Sequence, residues 1–173
     1  TDINGTLDEV IDDKVYDIKS ASPYAFQKKF GKFGGYAKVK EDDPFGYVVQ
    51  GYAYAKGVDK PFGGWIVVDK SSGEVTVCEA PDIQEQDKQD ALDAATVNVR
   101  KLKKTKRIEK QFKPTDEIDK GEPTGNKLLP RECGFCGFRH NCWSKAQFLP
   151  KHTSSAKNPP YVWYTKVAKN AHN

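Results

Sequence analysis

Methionine is absent from the 173 residues, and no apolar run approaches the length that a membrane-spanning helix needs. Neither a transmembrane helix nor a secretory signal pattern can be drawn on this sequence, so no membrane partner is expected. Cysteine is scarce: Cys78 stands alone, while Cys133, Cys136 and Cys142 cluster. In a chain expected to work in the cytoplasm, such clustering favours a metal over disulfides. Hydrophobic residues make up only 37 %, mean hydropathy is −0.75 and 30 % of residues are charged. Aromatics, at 12 %, still supply bulk for a packed core and argue against wholesale disorder. The excess of positive charge is slight, +4, but unevenly placed. Residues 100–113 hold eight basic residues against one acid, a stripe suited either to phosphate contact or to a solvated helix face.

The chemistry present is concentrated near the start. Gly5-Thr6-Leu7-Asp8 is followed, after an acidic break, by Val15-Tyr16-Asp17-Ile18-Lys19. A reversal at Asp12-Asp13 predicts a hairpin over 3–19 in which position 8 stands opposite position 17. Asp17 and Lys19 then share one face, and Tyr16 and Ile18 the other. Like charges directly opposite destabilise a ladder, so two facing carboxylates predict a divalent cation between them. Hard oxygen donors suit Mg²⁺ or Mn²⁺. The competing reading is a surface hairpin with ordinary polar alternation.

Downstream, Ser22 and Pro23 predict a helix N-terminus, with a helix to about Lys32 ended by Gly31, Gly34 and Gly35. Residues 36–43 read as a charged loop. A helix from Asp43 or Pro44 to Lys56 carries Tyr47, Gln50, Gly51 and Tyr54 at helical spacing. Strands are expected at 65–69 and 74–78, joined by the turn Lys70-Ser71-Ser72-Gly73. A long helix from Ile83 to Lys110 shows Leu92, Ala95, Val99 and Leu102 as its apolar stripe. Residues 113–131 read as a linker, 133–142 as the cysteine cluster, and 150–173 as a tail whose Tyr161, Trp163 and Tyr164 dock on the domain.

Taken in order, Gly-x-x-Asp, Asp-x-Lys and a helix bearing Gln50-x-x-x-Tyr54 resemble the RecB-like, phage-exonuclease branch of the PD-(D/E)xK nucleases, over residues 3 to 145. The resemblance implies an α/β fold, a three-layer restriction-endonuclease-like core with a central mixed sheet flanked by helices. That domain would occupy 1–149, with 150–173 as its tail. It implies a metal-dependent DNA nuclease, a phage-type exonuclease of DNA recombination or processing, acting in the bacterial host cytoplasm. By the same resemblance Asp8 and Asp17 hold the metal, helped by the Ile18 carbonyl. Lys19 serves the water or the transition state, while Gln50 and Tyr54 position the DNA strand.

Cys133-x-x-Cys136 and Cys142 resemble the cysteine triplet that, with an upstream cysteine, holds a 4Fe–4S cluster in iron–sulfur nucleases of this branch. No cysteine precedes Asp8, so the fourth ligand is expected to have gone with a missing upstream part, with Cys78 as the other candidate. Zinc with His140, or no metal and cysteines packed under Phe135, Phe138 and Trp143, are the alternatives. The branch's acid or histidine upstream of Gly-x-x-Asp is also missing. A fragment lacking its N-terminal part is therefore expected. The alternative is a catalytically incomplete nuclease-fold protein that binds DNA or serves in assembly.

Overall fold

The reversal at Asp12-Asp13 is a tight turn with both residues at positive φ, 47° and 63°. This is the two-residue geometry whose twist matches paired strands, and short polar side chains such as Asp tolerate it better than most. In the computed structural model, which describes residues 4–104 and 109–168, the turn joins β1 (Glu9–Ile11) to β2 (Lys14–Ala21). The pairing Glu9↔Tyr16, Val10↔Val15 and Ile11↔Lys14 extrapolates one step to Asp8 opposite Asp17, the register expected from the sequence.

The chain divides into two compact units, residues 1–106 and 107–173. The boundary at 106/107, rather than 149/150, reflects where strands pair: residues 115–166 build a sheet of their own.

In the first unit, β1, β2, β3 (Phe62–Asp69) and β4 (Val75–Glu79) lie in that order. The outer pairs are antiparallel and β2–β3 is parallel, so the sheet is mixed. A parallel pair needs a crossover, supplied here by helices. Ser22 caps the turn α1 (Pro23–Ala25) by accepting from the Ala25 N–H at 3.3 Å, with Pro23 at the first position. The chain then winds as a π-helical segment, Phe26–Phe30, which buries both phenylalanines. Residues 36–41 form a helix, α2 (Tyr36–Glu41), where a loop was expected. Only Val39 of its six residues is buried, too little to register as periodicity. Next comes α3 (Tyr47–Gly57), whose first amides, Tyr47 N–H and Val48 N–H, donate to the Asp43 carboxylate at 2.8 and 2.9 Å.

Val15, Asp17 and Ala21 of β2 and Trp65 and Val67 of β3 are buried in the core with α3 residues Val48, Tyr52 and Ala55. Its centre is aromatic: Phe62 meets Tyr52 at 5.2 Å and Trp65 at 5.1 Å, both edge to face. Gly51 lets α3 come this close, because a Cβ there would collide with the Phe62 ring. Helix α4 (Glu85–Lys104) buries Ala91 and half-buries Leu92, Ala95 and Val99. Thr105 to Ile108, within the expected basic stripe and the last turns of the expected helix, lie outside the described residues. The unit is therefore mixed α/β.

The second unit is an antiparallel sheet in the order β5-β6-β8-β7, formed by β5 (Thr115–Asp119), β6 (Glu122–Leu128), β7 (Gln147–Pro150) and β8 (Tyr161–Lys166). The expected linker thus contains a hairpin, turned at Lys120-Gly121 with both at positive φ. The expected tail supplies β8, an inner strand. Short helical turns α5 (Arg131–Gly134) and α6 (Arg139–Cys142) connect β6 to β7 and carry the cysteines.

Candidate active site

Burial alternates along β2 so that Val15, Asp17 and Ala21 are buried and Lys19 is half-buried, all on the face that α3 covers. Asp17 is 1 % exposed, its neighbour Ile18 48 %. The backbone therefore carries a carboxylate and an amine toward α3, and there they meet α3 side chains. Lys19 Nζ lies 2.7 Å from Asp17 Oδ2 and donates to Gln50 Oε1 at 2.8 Å. Gln50 Nε2 in turn donates to the Tyr54 hydroxyl at 3.0 Å. Positions 50 and 54 are one helical turn apart and face the same way, which makes the relay from Lys19 through Gln50 to Tyr54 continuous.

Asp8 enters from the segment before β1. Its Oδ2 accepts from the Ile18 N–H at 2.8 Å, beside the Asp17 carboxyl. Gly5 explains how this segment fits: it lies flat on the Tyr54 ring, and a Cβ would collide with it. The glycine of Gly-x-x-Asp is thus needed for close approach, and it ties the Asp8 segment to the ring that ends the relay.

All five side chains singled out in the sequence, Asp8, Asp17, Lys19, Gln50 and Tyr54, with the Ile18 backbone, come together at one end of the sheet. A sixth, Tyr47, was not singled out for this role. Its ring lies beneath Lys19 Nζ, 4.8 Å from centroid to nitrogen, a cation–π arrangement that fixes the amine from a third direction. The signal was present, since 47, 50 and 54 share one helical face.

The electrostatics of the site centre on Asp17. Burial pushes the Asp17 pKa above the ordinary carboxylate range. Lys19 pulls it down, the Asp8 carboxylate pushes it up again, and the net shift is upward. Asp17 Oδ2 is buried and, although ion-paired with Lys19, has no aligned hydrogen bond. Asp8 and Asp17, two adjacent carboxylates of which one is buried and imperfectly satisfied, are hard-oxygen donors of the kind that fits Mg²⁺ or Mn²⁺. A carboxyl with a raised folded-state pKa favours folding below its unfolded value, and that advantage is lost as pH rises through the folded value. Above that folded value the ionised Asp17 costs stability. Asp17→Asn is expected to raise the melting temperature in EDTA by about 5 °C, about 1 kcal/mol, the usual trade of function against stability. The same variant is expected to lose any shift that Mg²⁺ gives the parent. Thermal scans with and without Mg²⁺ check this, and a variant that melts lower contradicts it.

A second polar cluster lies in the same unit. Tyr36 OH bonds to Tyr52 OH at 3.0 Å and donates to Asp87 Oδ2 at 2.8 Å, and Lys40 donates to Asp87 Oδ1 at 2.6 Å. Lys40 and then Tyr36 hold the Asp87 carboxyl below its ordinary value. Each of these groups is satisfied, and the cluster fastens α2 to α3 and α4.

The cysteines behave differently from one another. Cys78 is 2 % exposed in the core of the first unit, where burial pushes its thiol up to about 11. It is placed as a core residue. In the second unit, burial raises the Cys133 thiol, the Trp143 indole partly offsets this, and Cys136 and Cys142 push it further up. The His140 ring packs edge to face on Trp163 at 5.3 Å. Among the described residues, no three or more His, Cys, Asp or Glu side chains form a group placed to hold a metal ion. All four cysteines are free thiols. Of the basic stripe, Arg100 to Lys104 are exposed on the last turns of α4, and Lys110 lies 3.9 Å over the Trp143 ring.

Compared with known proteins, the chain matches no protein-family model, no curated protein and no solved structure.

Proposed function

We propose that this protein is a divalent-cation-dependent deoxyribonuclease with a PD-(D/E)xK-type site on a restriction-endonuclease-like core, a phage-type exonuclease of DNA recombination or processing in a bacterial host cytoplasm. One observation carries the reading. Asp8, Asp17, Lys19, Gln50 and Tyr54, spread over more than forty residues of sequence, are linked by contacts of 2.7 to 3.0 Å around the buried Asp17, whose Oδ2 has no aligned hydrogen bond.

Asp8, Asp17 and the Ile18 carbonyl would hold Mg²⁺ or Mn²⁺. Once bound, the ion supplies polarisation of a phosphoryl oxygen and acidifies a water. The remaining work belongs to the chain's own side chains. Water would add to phosphorus, giving up a proton to solvent, as the P–O bond to the leaving sugar oxygen breaks and that oxygen takes up a proton from solvent. During this exchange negative charge builds on the phosphoryl oxygens, and Lys19 Nζ offers a preorganised positive charge. Gln50 and the Tyr47 ring keep that amine in place, so its orientation is set before substrate arrives. Tyr54 braces both Gln50 and the Asp8 segment. The exposed Arg100 to Lys104 side chains would meet phosphates further along the strand.

A second reading has one observation in its favour: among the described residues, no three acidic, histidine or cysteine side chains gather at the site. On that reading the protein keeps the fold and binds DNA without cutting it. The two readings separate on linear DNA incubated with Mg²⁺, with Mn²⁺ and with EDTA. Shortening in either metal and none in EDTA is expected. Salt-sensitive binding without cleavage in any divalent metal selects the second reading.

A further inference from the structure

No Asp or Glu follows Glu132 in the sequence, yet Arg139, Lys145, Lys151, Lys157 and Lys166 do, interleaved with aromatic residues. The fold sets three of the aromatic residues on one sheet face. In the antiparallel β7–β8 pair, Phe148 stands opposite Trp163 and Pro150 opposite Tyr161. Positions two apart on a strand share a face, so Phe148, Tyr161 and Trp163 lie on one side, while Tyr164 points to the buried side. Ring centroids are 5.0 Å apart for Phe148 and Trp163 and 5.3 Å for Phe148 and Tyr161. Phe148 is 51 % exposed and Tyr161 57 %. Water thus covers about half of two large rings that have a third ring as their base. The guanidinium of Arg139 covers Trp163 at 4.6 Å.

We propose that this face of the second unit is a single-stranded DNA platform, with Tyr161 and Phe148 as stacking surfaces and Arg139 as the phosphate contact. Exposed rings alone would not name a partner. Rings set in a segment with no acidic residue name a polyanion that also has flat faces to stack. The strand geometry selects single strands over duplex. The Phe148 and Tyr161 rings sit side by side with centroids 5.3 Å apart and planes inclined at 45°, wider than the roughly 3.4 Å rise of stacked bases in a duplex strand and inclined where duplex bases are parallel. Bases seated on rings at that interval must be unstacked from each other. The choice of DNA over RNA rests on the nuclease reading of the first unit; the platform itself uses none of the residues of that site.

The test is fluorescence anisotropy of the whole protein with a labelled oligo-dT in EDTA, where no cleavage occurs. The expected result is salt-dependent binding to oligo-dT, with much weaker binding to duplex of the same length and to an abasic phosphodiester oligomer. Phe148→Leu and Tyr161→Leu, which keep apolar bulk but remove the ring, are each expected to weaken oligo-dT binding by roughly 5- to 100-fold. Tyr161→Phe is expected to bind like the parent. Both Leu variants replace half-exposed side chains, and an unchanged melting temperature confirms that they fold. Equal binding of abasic and dT oligomers, or Leu variants that bind like the parent, overturns the proposal. So does self-association, or capture of phosphatidylserine vesicles, in place of oligonucleotide binding. Because binding is read without metal, a protein that never cuts DNA can still pass this test, and a nuclease can still fail it.

Discussion

Lys19→Ala is expected to slow DNA cleavage by about 100- to 1,000-fold, the usual consequence of removing one preorganised charge from a developing anion. The amine is held from three sides: by Asp17 at 2.7 Å, by Gln50 Oε1 at 2.8 Å and by the Tyr47 ring at 4.8 Å. Its side chain is only 17 % exposed, so it is a poor grip for a passing DNA backbone and a good fixed charge. The variant should therefore lose rate at saturating DNA while binding DNA as the parent does, the mark of an interaction made in the transition state only. Lys19→Arg should not restore the rate, because a planar, longer guanidinium cannot occupy the same point between Asp17 and Gln50. Removing the amine also strips Asp17 of its counter-charge. Lys19→Ala combined with Asp17→Asn should thus be no slower than the worse single variant, since the two residues act as a unit. A Lys19→Ala protein that cuts at the parental rate would remove Lys19 from the chemistry, and an inert parent in every divalent cation would remove the reaction itself.

How legible the molecule is in its sequence depends on where its hydrophobic residues are. In the first unit, inward positions of β2 and β3 are filled largely by Val15, Ala21, Trp65 and Val67, so period-two patterning and turn signals place the strands correctly. Symmetry about Asp12-Asp13 is enough to put Asp8 opposite Asp17. Side-chain spacing on α3 likewise brings out Gln50 and Tyr54, because helical period and function coincide there. What stays hidden has polar interiors or few buried residues. Helix α2 buries one side chain of six. The β5–β6 hairpin buries Glu117 and Asn126, residues that hydrophobic periodicity scores as outward, and it carries Pro123 and Gly125, which read as breakers. A segment whose core is made of hydrogen bonds looks like a linker to any argument based on apolar spacing. The tail was misjudged for a related reason: Tyr161, Trp163 and Tyr164 are adjacent aromatics facing both sides of an inner strand, a pattern that a docked tail would share.

That polar interior makes a second large effect predictable. Glu117 is 1 % exposed. Burial alone would raise its pKa, but hydrogen bonds from Asn126, Tyr164 and Thr124 outweigh burial and hold the carboxyl below its ordinary range. Tyr164 OH donates to Glu117 Oε1 at 2.6 Å and Asn126 Nδ2 donates to Oε2 at 2.6 Å. The Tyr164 hydroxyl is itself pushed up to about 12, by burial and by Glu117, so it keeps the proton it donates. The same hydroxyl accepts from the His152 N–H at 2.9 Å, and Asn126 Oδ1 accepts from the Ala168 N–H at 2.8 Å. One carboxylate thus connects β5, β6, β8 and the segments on either side of β8. Because its folded pKa is depressed, Glu117 contributes stability that is fully present above the unfolded carboxyl value, about 4.3. That contribution is lost as pH falls through the lower folded value. Glu117→Gln, which can accept in place of only one oxygen and turns its amide toward a donor, is expected to cost the second unit about 2–4 kcal/mol at neutral pH. Tyr164→Phe, which removes one of the two short bonds, should cost about half as much. Hydrogen exchange of the β5, β6 and β8 amides reads this locally: protection should collapse in Glu117→Gln while the β2 and β3 amides keep theirs. Acidification below the ordinary carboxyl range should weaken the parent's protection and leave the Gln variant's already low protection unchanged. Uniform loss of protection across both sheets, or a Gln variant as protected as the parent, would mean that the second sheet is held by something other than its buried carboxylate.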